Sequence, residues 1–388
     1  MKWFYRCHSC GARYDIVPGR YLCDSCARRQ NKDRPLEGVL EAQWEGEPDP
    51  GTVPLPVEQE WFPPIPVGNT PLWSPVRLRE EFGAPNLWIK DDTCNPSGSF
   101  KDRASYLVAA FARKHGVKEI VLASTGNAAS SMAAVGAAAG LRIKVFLPAN
   151  APRAKRIQVL QYGAELIPVD GTYDQAYELS LEYSDCTGSL SRNTAYNPLT
   201  IEGKKTVAFE IVADLVKAEA GAPDHLFVPA GDGVILAGVY RGFENLLDMG
   251  RIRNMPTIWA CQAEGSSAIA RAFASSDSAS DAFGDPMESN TIADSIAVDI
   301  PRNGLYALAK LRKYGGKTVV VSDAEILCAQ KKLSSTSGLF AEPSSSAAFA
   351  GWLKARESVP AAQTCILLIT GSGLKDIKAA ALGLGLED

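Results

Sequence analysis

Residues 95–103 read Asn95-Pro96-Ser97-Gly98-Ser99-Phe100-Lys101-Asp102-Arg103, and the rest of the 388-residue chain is organised around them. The Asn-Pro and Ser-Gly pairs predict a turn after a strand, and Ser99 is placed to cap a helix with Lys101 in its first turn. A cation there is locally unfavourable, because the helix dipole attracts anions to that end. Either the lysine reaches out to water, or an anionic ligand holds its amine where it can form a Schiff base.

Composition and charge are those of an ordinary globular protein, with 46% hydrophobic and 22% charged residues. The length allows two domains and a small appendage. A formal net charge of −4 argues against a nucleic acid or an anionic membrane as the partner. The most apolar run, residues 128–140, is made of small residues and ends before Arg142, so we expect no membrane span. The first seven residues lack the apolar core of a signal peptide, and we predict a cytoplasmic protein.

Two Cys-x-x-Cys pairs lie near the N-terminus, and their members are Cys7, Cys10, Cys23 and Cys26. Two such knuckles can direct four thiolates at one ion, and a segment this short needs metal to fold. The alternative, a pair of disulfides, is disfavoured in a reducing compartment. We therefore predict a zinc-ribbon-like segment with a structural Zn²⁺ whose coordination is filled and not catalytic. His8, inside the first knuckle, could replace one cysteine.

Beyond residue 60, apolar strands of the buried type alternate with helices, and the loops after the strands are rich in Gly, Ser, Thr and Asn. This pattern predicts an α/β fold with doubly wound parallel sheets, in which ligands bind at the carboxyl ends of the strands. The predicted strands are residues 87–90, 119–123, 143–147, 165–169, 225–229, 257–261, 317–321 and 365–369.

Three of the loops after strands carry groups suited to a ligand. Residues 230–234 read Ala-Gly-Asp-Gly-Val, and the two glycines allow backbone amides to approach a phosphate. Asp232 argues against an anion there unless its side chain turns away. Residues 370–373, Thr-Gly-Ser-Gly, offer neutral hydroxyl donors, and residues 124–127, Ser-Thr-Gly-Asn, offer an amide. Each loop, taken alone, is also explained as an ordinary turn.

Taken together, these motifs resemble those of fold type II pyridoxal-phosphate enzymes, the tryptophan-synthase-β-like family, and within it the threonine synthases. Residues 95–103 look like the family's cofactor-lysine motif. The similarity covers about residues 60–380, and the N-terminal knuckles look like those of some threonine synthases. The further motifs, which follow the family's order, are Gly68–Leu72, Leu87–Asp92, Ser124–Asn127, Gln262–Gly265, Glu342-Pro343 and Thr370–Asp376.

The resemblance implies a role for each site residue. Lys101 would form the Schiff base with pyridoxal 5′-phosphate and later move protons at Cα and Cβ of the substrate. Asn127 would hydrogen-bond the cofactor's 3′-oxygen, and Thr370 would face its pyridine nitrogen, which a hydroxyl leaves unprotonated. Ser124 and Thr125 would receive the substrate carboxylate. The amides expected at the cofactor phosphate belong to Gly231, Asp232, Gly233 and Val234.

One segment departs from the family pattern. Threonine synthases read Asn-Ser-x-Asn-Pro-x-Arg before Glu-Gly-x-Lys-Thr, and the Asn, Ser and Arg help to bind the phosphate of O-phosphohomoserine. Residues 194–206 here read Thr-Ala-Tyr-Asn-Pro-Leu-Thr-Ile-Glu-Gly-Lys-Lys-Thr, so Ala195 and Thr200 replace the serine and the arginine. Losing a guanidinium is not conservative where a dianion is bound. The nearby cations that could replace it are Arg153, Lys155, Arg156 and Lys204.

We therefore expect a threonine-synthase-like lyase that eliminates phosphate from O-phosphohomoserine and adds water to give L-threonine. The alternative is β-elimination or β-replacement on serine, threonine or an O-activated serine, as in an ammonia-lyase or a cysteine- or cysteate-type synthase. A zinc-ribbon binding protein with a catalytically silent domain is a third possibility, and relatives suggest a homodimer. The predicted domains are a zinc-ribbon-like segment at 1–30, a linker or arm at 31–60, a large cofactor-binding domain at 61–105 and 205–388, and a small mobile domain at 106–204.

Overall fold

The computed structural model describes residues 1–149, 153–277 and 281–386, without the side chains of residues 153–155. Among the described helices, none combines the length and the apolar surface that a bilayer crossing requires. The strands are β1 Lys2–Cys7, β2 Arg13–Tyr14, β3 Leu40–Glu45, β4 Leu72–Trp73, β5 Leu87–Asp91, β6 Glu119–Ala123, β7 Arg142–Pro148, β8 Glu165–Val169, β9 Leu190–Ser191, β10 His225–Pro229, β11 Thr257–Ala263, β12 Lys317–Val321 and β13 Cys365–Ile369. The α-helices are α1 Val76–Phe82, α2 Asp102–Lys114, α3 Asn127–Ala139, α4 Arg153–Gln161, α5 Tyr173–Thr187, α6 Leu199–Glu202, α7 Thr206–Lys217, α8 Val234–Asp248, α9 Ala268–Ala274, α10 Gly304–Lys313, α11 Asp323–Ser337, α12 Pro343–Ala355 and α13 Ile377–Gly383.

Two parallel sheets confirm the predicted α/β fold class. One sheet has the strand order β8-β7-β6-β9, and the other has the order β12-β11-β10-β13-β5-β4. Among the described strands of the second sheet, β4 alone runs antiparallel to its neighbour. Every residue of β10 and β13 is buried, as expected for strands with helices on both faces.

The chain separates into two compact units, and Lys101 lies in the first. The grouping differs from the predicted division, which put residues 61–105 in the large cofactor-binding domain. The reason is packing, because α2, directly after Lys101, packs against α3 and α6. The mobility predicted for residues 106–204 stays a prediction. Unit 1 comprises Met1–Gln30, Leu36–Gly68 and Asn95–Thr206, and unit 2 comprises Asn31–Pro35, Asn69–Cys94 and Val207–Asp388.

A third, antiparallel sheet, β2-β1-β3, forms the N-terminal part of unit 1. Residues 31–60 were expected to be a linker or arm, yet β3 lies within them and pairs with the whole length of β1. Leu40 and Ala42 on β3 are buried. Tyr5 on β1 belongs to the same buried cluster as Leu107 on α2, so the zinc-ribbon-like segment shares the hydrophobic core of unit 1.

The side chain of Asp102, and not that of Ser99, forms the hydrogen bonds that close the loop before α2. Lys101 is the residue before α2, and its carbonyl accepts from the amide of Ser105 at 3.2 Å. No side chain caps α2 at this position. The carboxylate of Asp102 accepts from Ser97 N at 2.7 Å and from Ser97 Oγ at 2.5 Å. An acidic residue in the first turn is favourable with the helix dipole, so Asp102 holds the preceding turn against α2.

Replacing Gly203 by Ala is expected to destabilise unit 1. An added Cβ would overlap the carbonyl oxygen of Arg103 and lie 3.0 Å from Ala104 Cα, and these backbone atoms cannot move without shifting α2. Overpacking of this kind costs about 1–3 kcal/mol, and we expect a melting temperature lower by a few degrees.

Gly284→Ala is the matched control, because the added Cβ would meet no atom within 4 Å. Thermal unfolding followed by circular dichroism measures both variants. Equal melting temperatures for the two would contradict the packing at Gly203.

Candidate active site

Ser124 closes the loop between β6 and the N-terminus of α3. Its Oγ accepts from the amides of Gly126 and Ala129, both at 3.2 Å. Both lone pairs are therefore used, and among the described residues no acceptor is present for the hydroxyl proton. This arrangement suits the role predicted for Ser124 and the half-buried Thr125, which is to donate to a carboxylate at a helix N-terminus.

Lys101 and Asn127 lie at the starts of two helices that pack together. Asn127 is the first residue of α3 and is buried, whereas Lys101 precedes α2 and is half-buried. Ser131 Oγ on α3 donates to Ser105 Oγ on α2 at 2.7 Å, and both serines are fully buried. This bond fixes α2 and α3 relative to one another, and with them the two residues predicted to bind the cofactor.

In unit 2, the loop before α8 carries three amides without a protein acceptor. Gly231 and Gly233 are buried, and the amides of Gly231, Asp232 and Gly233 donate to no atom in the described part of the chain. Buried amides are nearly always paired in folded proteins. A phosphate oxygen would complete the loop, and the dipole of the 15-residue helix α8 favours an anion there. The loop therefore fits the phosphate of a cofactor such as pyridoxal phosphate.

The other polar groups of this loop bond to the protein, and the carbonyls of Asp232 and Gly233 both accept from Asn303. The amide of Val234, which was predicted to bind the phosphate, donates to Asp232 Oδ1 at 3.0 Å. A Cβ at position 231 would lie 2.8 Å from Ile296 Cα, and Gly233 has a φ of +88° that favours glycine. The protein's own packing and backbone conformation therefore already account for both glycines.

Thr370, directly after β13, is hydrogen-bonded to Ser345 on α12. Ser345 Oγ accepts from Thr370 N at 3.1 Å, lies 3.0 Å from Thr370 Oγ1 and reaches Gly371 O at 3.1 Å. Ser345 has one hydroxyl proton, which it gives either to Gly371 O or to Thr370 Oγ1. Only donation from Ser345 to Thr370 Oγ1 leaves the hydroxyl proton of Thr370 for another acceptor, such as a pyridine nitrogen.

The segment between β9 and α7 is buried and rests on the N-terminal part of unit 1. Tyr21 Oη accepts from the amide of Ser191 at 2.7 Å. The ammonium of the fully buried Lys205 lies 5.3 Å from the ring centroids of Trp3 and of Trp44. The three-stranded sheet therefore supports the segment that departs from the threonine-synthase pattern.

The four N-terminal cysteines converge as predicted for a metal centre. Their Sγ atoms all lie within 4.8 Å of one another, with 3.8 Å between Cys7 and Cys26 and 3.6 Å between Cys10 and Cys23. A tetrahedral ion with Zn–S bonds of about 2.3 Å holds its sulfurs about 3.8 Å apart. The distances fit one zinc ion and exclude disulfides, whose S–S bond is about 2.05 Å. The group contains the four thiols and not His8.

The fold favours ionisation of the Cys23 thiol. Tyr14 Oη lies 3.1 Å from Cys23 Sγ. Burial opposes ionisation, but hydrogen bonds from Tyr14 and from the amides of Cys26 and Ser25 outweigh it and lower the pKa of Cys23 to about 6. A thiolate is the form that binds a metal.

Comparison with known proteins assigns this arrangement to a family. The family model for "Pyridoxal-phosphate dependent enzyme" matches residues 65–371. The chain belongs to this family. It resembles the threonine synthase of Methanocaldococcus jannaschii, with 32% identity over 390 residues, 97% of this chain and 93% of that protein. The threonine synthase of Methanosarcina acetivorans is 34% identical over 328 residues, 83% of this chain and 78% of the relative.

Solved structures show the same fold. Threonine deaminase isoform 2 of Solanum lycopersicum, in its processed form, has a TM-score of 0.69 and 22% identity over 82% of this chain and 84% of that chain. Maize serine racemase has a TM-score of 0.69 and 23% identity over 82% of this chain and 92% of that chain. Together with the threonine synthase relatives, the family match makes this protein a threonine-synthase-like, pyridoxal-phosphate-dependent lyase of fold type II.

The two positions that depart from the threonine synthase pattern are both buried. Ala195 has a φ of +69°, a left-handed conformation that is unusual for a residue with a side chain. Thr200 Oγ1 donates to the carbonyl of Asn197 at 2.7 Å. Neither side chain therefore supplies the hydroxyl or the guanidinium of the family pattern.

Among the cations that could replace the missing arginine, Lys204 is fully buried and Arg156 is half-buried. The side chains of Arg153 and Lys155 lie outside the described residues. Sequence reasoning missed Arg192 and Ser345, which are both fully buried. Ser345 stands in the run Ser344-Ser345-Ser346, whose members the sequence alone does not distinguish.

Ser345→Ala is expected to lower stability and cofactor retention. The variant leaves the buried amide of Thr370 without its acceptor, at a cost of about 1–3 kcal/mol, whereas the carbonyl of Gly371 keeps the amide of Glu342. Thermal unfolding and the rate of pyridoxal phosphate loss on dialysis measure the effect.

Ser346→Ala is the control, since Ser346 is also fully buried but its hydroxyl bonds the carbonyl of Glu342, which the Ser346 amide also contacts. Indistinguishable melting temperatures and retention for the two variants would refute the role of Ser345.

Proposed function

We propose that this enzyme is a threonine synthase in the narrow sense, which eliminates phosphate from O-phosphohomoserine and adds water to give L-threonine. The observation that carries the proposal is the similarity to the Methanocaldococcus jannaschii threonine synthase, which covers 97% of this chain and extends into the N-terminal segment. Pyridoxal phosphate, when bound, supplies a ring that withdraws electrons from the substrate's Cα.

In this proposal each side chain has a separate task. Lys101 would hold the cofactor through its Nζ and carry protons at Cα and Cβ of the substrate. Ser124, whose hydroxyl proton is available, would donate to the substrate carboxylate together with Thr125. The residues proposed to bind the cofactor are Asn127, Gly231, Asp232, Gly233, Val234 and Thr370.

The second candidate is β-elimination or β-replacement on serine, threonine or an O-activated serine. Ala195 and Thr200 favour it, because they remove two groups of the family's phosphate-binding pattern. The two candidates share the cofactor and differ in the leaving group.

A substrate panel tests the proposal. The holoenzyme is incubated with O-phosphohomoserine while threonine and free phosphate are assayed, and parallel reactions with serine, threonine and O-phosphoserine are assayed for keto acids. We expect stoichiometric threonine and phosphate from O-phosphohomoserine. Lys101→Ala should abolish both the turnover and the absorption of violet light by the lysine-bound cofactor.

Turnover of another substrate without phosphate release from O-phosphohomoserine would overturn the threonine synthase assignment. Violet absorption retained in Lys101→Ala would instead show that another residue holds the cofactor.

We also propose that Cys7, Cys10, Cys23 and Cys26 bind one structural Zn²⁺. Atomic absorption should find one zinc per chain, and Cys10→Ser should lose the metal more readily to a chelator because a hydroxyl or a water is a weaker fourth ligand than a thiolate. Since Tyr21 on the same segment accepts from Ser191, metal loss should also speed hydrogen exchange at the Ser191 amide. On the family resemblance alone, we further propose that the protein is cytoplasmic and forms a homodimer. Light scattering tests the oligomeric state.

Cys186→Ser is the control, because Cys186 is an exposed thiol outside the cluster. A fully folded wild-type protein without zinc would refute a structural metal.

A further inference from the structure

Asn303 joins the glycine loop before α8 to the start of α10. It is fully buried and is the residue directly before α10. Its backbone amide donates to Asp232 O at 2.9 Å, and its side-chain Nδ2 donates to Gly233 O at 3.4 Å. One residue therefore binds two consecutive carbonyls of the loop, and all three residues belong to unit 2.

These two contacts determine where the amides of the loop point. A peptide unit is planar, and in its trans form the carbonyl oxygen and the following N–H point in opposite directions. Because Asp232 O is directed at Asn303, the amide of Gly233 is directed away from it. That amide donates to no atom in the described part of the chain, so it is a donor that the loop offers to a ligand.

The next peptide unit is held at both of its polar groups. Its carbonyl, which belongs to Gly233, accepts from Asn303 Nδ2, and its N–H, which belongs to Val234, donates to Asp232 Oδ1 at 3.0 Å. The carboxylate of the loop is thus turned back onto the start of α8. Contacts within the protein therefore fix the direction of both peptide units, and a preorganised site loses less freedom when a ligand binds.

The side chain of Asn303 does not have the role that is usual for asparagine at the start of a helix. Asparagine is common there because its Oδ1 accepts from an amide of the first turn. In α10 no such bond is formed, and Oδ1 is buried without a partner among the described residues. Turning the amide group over would place Oδ1 beside Gly233 O, where two acceptors repel. Since an unpaired buried acceptor is unfavourable, the contact with the loop explains this orientation better than the stability of α10 does.

The first turn of α10 also packs closely against the loop. A Cβ at position 233 would lie 3.1 Å from Asn303 O and 3.0 Å from Ala307 Cβ. Asn303 O accepts from Ala307 N at 3.0 Å, so the residue that holds the loop is itself tied to the helix. A group that is placed by a helix is held more precisely than one that is placed by a loop.

We propose that Asn303 is a positioning residue, which keeps the amide of Gly233 directed at the phosphate of pyridoxal phosphate. In this role it acts through the carbonyls of Asp232 and Gly233 and not as a ligand. Its effect is therefore on the affinity for the phosphate group and not on the affinity for the cofactor ring. The inference rests on the proposed assignment of the glycine loop to the cofactor phosphate, and it does not depend on which amino acid is the substrate.

Pyridoxal, which lacks the phosphate, separates this role from a general effect on the cofactor site. The full-length protein is freed of cofactor, and the dissociation constants of pyridoxal phosphate and of pyridoxal are measured for the wild type and for Asn303→Ala. We expect the constant for pyridoxal phosphate to rise about 3- to 10-fold, as for the loss of one neutral hydrogen bond, while the constant for pyridoxal stays the same. The phosphorus-31 resonance of the bound cofactor should shift, and its violet absorption maximum should not.

Asn303→Ser distinguishes the contact with the loop from capping of α10. Serine is also favoured before a helix, but its side chain ends one bond short of the position of Nδ2 and does not reach Gly233 O. This variant should lose as much affinity for pyridoxal phosphate as Asn303→Ala. Its melting temperature without cofactor should be at least as high as that of Asn303→Ala, because the serine caps the helix.

Asn245→Ala is the matched control. Asn245 is also buried and also has an unpaired Oδ1 among the described residues, but it lies three turns along α8, about 16 Å from the start of that helix. We expect the ratio of the two dissociation constants to be the same as in the wild type.

An unchanged constant for pyridoxal phosphate in folded Asn303→Ala would overturn the proposal. Equal losses for pyridoxal phosphate and pyridoxal would also overturn it, because they would show a general structural effect. If the wild type bound pyridoxal as tightly as pyridoxal phosphate, the glycine loop would not bind the phosphate, and the inference would fail with that assignment. Absent turnover of O-phosphohomoserine would refute only the proposed substrate, since none of these binding measurements uses a substrate.

Discussion

The close approach of Gly203 to the backbone of α2 is the constraint on which the lysine-bearing unit depends. Any side chain at position 203 would overlap the carbonyl of Arg103, so the segment after β9 reaches the first turn of α2 because this residue has no Cβ. That contact places residues 199–205 against the first turn of α2, which begins directly after Lys101.

The N-terminal part of unit 1, which contains the sheet β2-β1-β3, also contacts the segment between β9 and α7. The rings of Trp3 and Trp44 cover Lys205, and Tyr21 accepts from Ser191. A segment that buries charge and contains a strained residue is unfavourable by itself, so it needs rigid neighbours. The zinc-ribbon-like segment supplies them, which gives a physical reason for its place in the core of unit 1.

Much of the fold could be predicted from local patterns. The strands at 119–123, 225–229 and 365–369 were predicted with the bounds they have, because a strand buried on both faces is a continuous apolar run between turn residues. β3 was missed because its buried residues alternate with polar ones over a short stretch between acidic and proline-containing residues. The start of α2 was misplaced by two residues, since Lys101 and not Ser99 precedes the helix and the carboxylate of Asp102 closes the loop.

The residues of the candidate site also differ in whether the sequence could predict them. Its lysine, its glycine loop and its cysteine pairs were predicted because each is a short pattern whose residue types suit one chemistry. Ser345 and Arg192 carry no local signal, and their partners Thr370 and Ser105 lie far away in the chain.

The sequence by itself determined the α/β class and the family, since these depend on short-range periodicity and on ordered motifs. Only the tertiary structure decided that residues 100 positions apart, at the start of α2 and around Lys204, pack together with their charged side chains buried. The physical reason is that solvation and charge balance are properties of a packed neighbourhood, and no stretch of sequence contains that neighbourhood. Lys101 is the residue predicted to hold the cofactor, and the tertiary structure determines which buried side chains pack against its helix.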